Sequence, residues 1–369
     1  MKKKIFAILI SLITIVAVVG FNHIDKQDVI INNGVKYAIK LNGEKTNNFP
    51  APGKYNVIVN CNNANAKWDY DAWNLRVYNI NEGAACDINF TSMDNYPQLN
   101  DKIISLKGNG QVFEENGIRY EGKSPDNYIW FNNELWRIIG VFDTNIPDVG
   151  NKQLVKIIKN ESIGGLVWDK SGSNNWSTSS LKELLNGAYL QVQNGTGTDY
   201  CYGYSTNVPA NCDYREIGIK DGYREMIENV TWYLGGPNET TYPVNQFYND
   251  ERNPENIYNG NATSWDGKIG LMYASDYGYS VMSNTCPRST NLNKYNNKNC
   301  GDQNWLYGKG FEWTITSSRY GAFSVSTDGN MTDRTVEDGY AVLPVLYLKS
   351  NVYTKGGDGS LDNPYVIGI

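Results

Sequence analysis

Six cysteines, one histidine and a large set of aromatic rings are the residues of this 369-residue chain best able to do chemistry. The histidine does little. His23 is the only one and follows an N-terminal apolar run, so neither a Ser-His-Asp triad nor a two-histidine zinc site can be assembled. The cysteines, Cys61, Cys86, Cys201, Cys212, Cys286 and Cys300, lie 25, 11 and 14 residues apart within successive pairs. No CxxC or Cys/His spacing points to a metal. Sequential disulfides Cys61–Cys86, Cys201–Cys212 and Cys286–Cys300 are the natural reading among the fifteen connectivities six cysteines allow. Reactive thiols would need an electropositive neighbourhood that these stretches lack.

Carboxylates offer two further chemistries. Asp250, Glu251, Asp266 and Asp276 share a loop-rich half, but glycoside hydrolysis needs two carboxyls at a set separation across one cleft. Asp169-Lys170-Ser171-Gly172-Ser173-Asn174, and Asp328 with Asn330 and Asp333, carry hard oxygen ligands of the kind calcium takes. Neither completes an EF-hand loop, and Asp, Asn, Ser and Gly form turns for their own reasons. Calcium at Asp328, Asn330 and Asp333 is the one candidate cofactor; no other is expected. The rings are the stronger clue. Trp232, Tyr233, Tyr242, Trp265, Tyr277 and Tyr307 stand near Tyr273, Tyr279, Trp305 and Trp313 in the same half. Flat rings with polar rims suit sugars or peptides. Trp136 and Trp313, on strand patterns, belong in the core; Tyr242, Tyr277 and Tyr307, beside Gly, Pro or Asn, are expected at the surface.

Composition sets the limits around these groups. Apolar residues make up 40% and charged residues 20%, too apolar for disorder and too polar for many membrane spans. The net charge is −6 and no basic run follows Lys2-Lys3-Lys4, so nucleic acid is excluded as a partner on electrostatic grounds. Those lysines, the apolar stretch Ile5–Val19 and Gly20 describe a secretory signal, or else an N-terminal membrane anchor, over residues 1–27. Membrane contact is expected only through that segment. Either way the remainder lies outside the cytoplasm, secreted or at the cell surface, where disulfides persist.

Two bodies are expected to carry the residues. Over 28–98, Tyr55, Val57, Val59 and Cys61 share one parity and Cys86, Ile88 and Phe90 another, so each cysteine sits on the apolar face of a half-buried strand. This reads as a small β-sandwich-like module. Over 101–369, a hairpin is expected at 127–142 and strands at 154–158, 268–273, 311–316, 323–326 and 340–348, with Asp328-Gly329 as a tight turn. Ser180 and Glu183 form a capping box for one helix, and Tyr223, Met226, Ile227 and Val230 mark a second over 220–234. The stretches 235–266 and 282–310 read as long polar loops. Strands with two embedded helices give an α+β domain.

Tyr128-Ile129-Trp130-Phe131, Trp136-Arg137-Ile138-Ile139-Gly140-Val141, Trp176-Ser177-Thr178-Ser179-Ser180-Leu181, Lys268–Tyr277, Trp313-Thr314-Ile315 and Ala341–Leu346 occur in an order that resembles an uncharacterised family of secreted or surface bacterial proteins. More distantly, residues 101–350 are similar to C-type-lectin-like folds, such as the Fibrobacter major paralogous domain and formylglycine-generating-type domains. The resemblance implies a C-type-lectin-like α+β domain with long loops and brings no activity with it. In the related domain the residue before Pro344 is commonly Arg; here it is Leu343.

The expectation is therefore a non-catalytic, extracellular or cell-surface module that binds glycan or protein through the loops of 235–310. A glycan-active hydrolase and a structural, pilin-like envelope subunit are the alternatives.

Overall fold

The computed structural model describes residues 30–369 apart from 33, 54, 71, 93–95, 206–207, 254–259 and 309, and the signal or anchor expected over 1–27 lies outside the described residues. The chain divides into two compact units, Met1–Pro97 and Gln98–Ile369.

The first unit is built from β1 (Ile30–Asn32), β2 (Val35–Leu41), β3 (Glu44–Thr46), β4 (Tyr55–Asn62), β5 (Asn65–Asp69), β6 (Asn74–Tyr78) and β7 (Ala85–Ser92). Five of these form a mixed sheet in the order β1-β2-β7-β4, with β3 beside β2, while β5 and β6 make a separate hairpin. The alternation in β4 and β7 turns Ile88 and Phe90 inward to meet Ile39 of β2 and Trp68 of the hairpin. Trp68 packs edge-on against Phe90 at 4.9 Å and against Phe49 at 5.1 Å, the arrangement that ring quadrupoles favour. Cys61 and Cys86 stand directly opposite each other in the β4–β7 ladder and are bonded.

The second unit starts with α1 (Leu99–Ile104), β8 (Val112–Glu114), β9 (Ile118–Tyr120), β10 (Tyr128–Phe131), β11 (Glu134–Ile146), β12 (Gly150–Lys159) and β13 (Gly165–Val167). Next come α2 (Ser180–Leu184), α3 (Asp221–Arg224), β14 (Val230–Tyr233), α4 (Val244–Arg252), β15 (Ser264–Gly267), β16 (Ile269–Gly270) and α5 (Ala274–Tyr279). It ends with β17 (Glu312–Ser317), β18 (Ala322–Val325), β19 (Met331–Arg334), β20 (Gly339–Ala341), β21 (Val345–Leu348), β22 (Tyr353–Gly356) and β23 (Tyr365–Gly368). The long β11–β12 hairpin is the spine of a nine-stranded sheet ordered β16-β21-β12-β11-β10-β23-β22, with β9 laid on β11 and β8 on β9. β9 approaches β11 so closely that a Cβ at Gly140 would meet the Ile118 carbonyl oxygen at 2.1 Å, so only glycine fits there. A second sheet, β13-β20-β17-β18-β19, is buried along all of β17 and β18. Indole N–H groups tie its strands together: Trp168 donates to the Thr314 carbonyl at 3.0 Å and Trp313 to that of Leu166 at 2.9 Å.

The α+β, lectin-like expectation fails. Strand makes up 37% and helix only 14%, spread over several sheets and five short helices among the described residues. The helix expected over 220–234 is the clearest case. Only Asp221–Arg224 is helical, while Val230–Tyr233 pairs with Ser264–Gly267 as a β-hairpin. Apolar residues at 223, 226, 227 and 230 satisfy a helical period, yet 230–233 also alternates, and its β-branched and aromatic side chains favour the pleated surface. The cap of α2 is Ser179, whose hydroxyl accepts the Lys182 N–H at 3.2 Å; Ser180 is already inside the helix. The expected strand 340–348 is split, since Pro344 separates β20 from β21.

Candidate functional site

β11, β14, α4 and β21 converge on a cleft of ≈ 270 Å³. Arg252 is its centre. It ends α4, where four residues earlier Tyr248 projects from the same helical face. The guanidinium lies 3.6 Å from the Tyr248 ring centroid and 4.9 Å from that of Tyr273, leaving its side chain 23% exposed. Tyr233, 41% exposed, stands beside it, and its N–H donates to the Tyr273 hydroxyl at 2.8 Å. On the polar wall, the Asn145 amide donates to Thr231 Oγ1 at 2.8 Å, and Thr231 donates in turn to Asp266 at 2.6 Å.

Two ion clusters under the cleft hold these rings in place. Glu251, fully buried, accepts from the Ser275 N–H at 3.0 Å, from Thr316 Oγ1 at 2.8 Å, from the Ser275 hydroxyl, and from Arg252 at 3.1 Å. Burial alone would push the Arg252 guanidinium down; the adjacent Glu251 carboxylate overrides it and keeps it charged. Deeper, Lys156 pairs with Asp276, whose other oxygen accepts from Arg119 at 3.0 Å. Lys156 is ringed by Tyr273 at 4.4 Å, Tyr347 at 5.4 Å and Trp232 at 5.5 Å. Burial lowers its ammonium to about 8, with Asp276 pulling the other way. Burial would raise Asp276, but Lys156 and Arg119 hold its carboxyl well below the usual carboxylate range. Its Oδ2 also accepts the Tyr273 N–H at 3.0 Å, fixing the ring that forms the cleft floor.

The expected ligand residues are scattered about this geometry. Tyr233 lines the cleft. Trp232 is buried behind it, donating to the Gly267 carbonyl. Trp265 is half-buried against Trp176 with ring centroids 6.3 Å apart, and Tyr242 packs partly on the core just before α4. Tyr277, expected at the surface, is fully buried with its hydroxyl on the Gly329 carbonyl; Tyr307 is half-buried, bonded to that of Thr327 at 2.5 Å. The lining of the cleft is thus not confined to 235–310. Tyr248 and Arg252 carry no signal in the sequence because α4 falls in a stretch polar enough to pass for loop, and Asn145 and Tyr347 reach the cleft from strands far away along the chain.

The side chains expected to bind calcium are each engaged by nearby donors. Asp328 accepts from its own turn, through Asn330 N–H at 3.1 Å and the Asn330 amide at 3.0 Å, while Asp333 takes the Ser318 hydroxyl and Asn330 Oδ1 takes the Asn296 N–H at 2.9 Å. Asp169 likewise accepts from Ser171, Ser173 and Ser180 N–H groups. Among the described residues no group of three or more His, Cys, Asp or Glu side chains is placed to hold a metal.

The three disulfides are Cys61–Cys86, Cys201–Cys212 and Cys286–Cys300, with no free cysteine among the described residues. Such a set belongs to an oxidising compartment. No helix among the described residues is long and apolar enough to cross a membrane. Compared with known proteins, the chain matches no family model, no curated protein and no solved structure.

Proposed function

We propose that this chain is a non-catalytic extracellular or cell-surface binding module, and that the Arg252 cleft takes one glycan unit bearing an anionic group. The observation that carries the reading is the Arg252 guanidinium, partly exposed and stacked on Tyr248 and Tyr273 beside the exposed ring of Tyr233. Aromatic faces bury the apolar face of a sugar ring at little entropic cost, and a fixed guanidinium fork suits a carboxylate. Asn145 and Thr231 add an amide and a hydroxyl for sugar hydroxyls. The volume, just below the usual range for small-molecule sites, suits a single ring rather than a long chain. A binding role also fits the state of the buried carboxylates, since Glu251 and Asp276 are saturated by donors and cations.

Titration with glucuronic acid and with glucose, followed by NMR shift perturbation, tests the reading. Glucuronic acid is expected to bind at least tenfold tighter than glucose, with shifts centred on Tyr233 and Arg252. Tyr233→Ala and Arg252→Lys should each weaken it by about tenfold, the latter because an ammonium keeps the charge for Glu251 but loses the planar fork. Equal affinity for both sugars, or shifts elsewhere, would overturn it.

A further inference from the structure

A second cleft, ≈ 240 Å³, opens between β12, β17, β20 and the residues Trp305, Leu306, Gly308 and Gly310. Its walls are mixed: Ile158, Leu306, Ala341 and Leu343 supply apolar surface beside Arg137, Lys159, Asn160 and Ser162, and Glu312 sits among them, 5% exposed. A Cβ at Gly308 would fall 1.8 Å from Glu312 Oε1, so this carboxyl lies directly on the backbone of that glycine. The cations lining the cleft are engaged elsewhere. Arg137 donates to Asn127 Oδ1 at 2.8 Å and is sandwiched between Tyr128 and Trp305, each 4.4 Å away; Lys159 pairs with Glu134. The other titratable groups near Glu312 are the phenols of Tyr277 and Tyr307, which it pushes further up, and exposed Glu161 adds negative charge at the rim.

We propose that the Glu312 cleft is a binding site for a primary ammonium on a short apolar stem, the chemistry of a lysine side chain. The apolar part of the walls would cover the methylenes and the carboxyl would receive the ammonium. A buried carboxyl without a cation is costly when ionised. Burial accordingly pushes Glu312 up to about 8, and among the described residues only the Gly308 N–H draws it down. An arriving ammonium supplies the missing charge. It keeps its own proton, having an ordinary pKa of about 10.4, and Glu312 releases one to solvent. The sign follows: binding strengthens as pH rises toward the Glu312 value, by up to tenfold for each pH unit below it. This site is independent of the Arg252 cleft.

The test is calorimetry on the intact chain with Nα-acetyl-lysine amide and its uncharged counterpart Nα-acetyl-norleucine amide, at about pH 6.5 and about pH 8.5. The lysine probe is expected to bind at least tenfold tighter than the norleucine probe, more tightly at the higher pH, and with proton release. Glu312→Gln should erase both the preference and the pH dependence. Leu343→Arg, which sets a guanidinium into the same cleft while keeping Glu312, should also erase the preference, and it decides the matter should the first variant fail to fold. Equal binding of the two probes, or an unchanged preference in Glu312→Gln, overturns the proposal. So does lysine binding that emerges only in Lys309→Ala, since Lys309, outside the described residues, would then be the natural occupant.

Discussion

The two clefts of the second unit treat buried charge in opposite ways. Beneath Arg252 every buried ion meets a counter-ion: Asp276 lies between Lys156 and Arg119, and Glu251 contacts Arg252. In the other cleft, among the described residues, Glu312 has burial against it and one backbone N–H in its favour. A closed cluster is a scaffold, since each of its buried carboxylates has a cation against it and its geometry fixes the Tyr273 and Trp232 rings around it. A lone carboxyl is poised for an outside charge. The contrast predicts opposite responses to mutation. Asp276→Ala leaves Lys156 and Arg119 buried without their anion, and should cost about 3–5 kcal/mol of folding stability. Urea unfolding measures it, and a loss below about 1 kcal/mol would mean that water reaches the cluster.

The same contrast governs pH. Asp276 has a depressed value in the fold, so its contribution is present above the unfolded value of about 3.9 and is lost as pH falls. Glu312 has a raised value, about 8 against about 4.3 unfolded, so stability is full at low pH and declines as pH rises between those limits. The slope there is at most about 1.4 kcal/mol per pH unit. Glu312→Gln should flatten this limb and leave the acid limb alone, gaining at most about 5 kcal/mol at about pH 9. Thermal midpoints across the range check it; a variant that tracks the native chain throughout would show that Glu312 is already neutralised.

Much of the strand content was legible, because period-two patterns survive folding wherever one face is buried. The parity of Tyr55, Val57, Val59 and Cys61 against Cys86, Ile88 and Phe90 is the register of the β4–β7 ladder. Spacing likewise gave the three disulfides. The helices were harder, being short and packed by tertiary contacts rather than set by their own periodicity. Tyr277 shows why. Tyr-Gly reads as a turn, yet Gly278 lies inside α5, where a Cβ would meet Val244 Cγ2 at 2.5 Å; glycine there lets α4 and α5 approach, and the approach buries Tyr277. The Arg252 cleft was beyond reach for a further reason. Its lining runs from Asn116 to Tyr347, and no local pattern states that these segments meet. Glu312 gave no signal either, since a glutamate in a strand reads as solvent-facing until both sheet faces are known to be covered.

The finest test of the comparison leaves the charge in place and moves it. Gly308 is the residue whose backbone Glu312 lies against, and an added Cβ would occupy the position of Oε1. In Gly308→Ala the carboxyl must rotate out of the cleft, because the methyl group is fixed to the backbone while the glutamate chain is not. Two opposing effects then nearly cancel in stability at neutral pH: the methyl group crowds the segment, and the carboxyl regains water. The net change is expected within about 1 kcal/mol, the smallest of the series. The informative readout is titration. NMR of the Glu312 side chain should show its pKa returning toward about 4.3, and binding of the lysine probe should fall at least tenfold. A Glu312 that still titrates near 8 in this variant would mean that burial by the sheet, rather than its seat on Gly308, sets its state, and the cleft would lose its claim to position the carboxyl for an incoming ammonium.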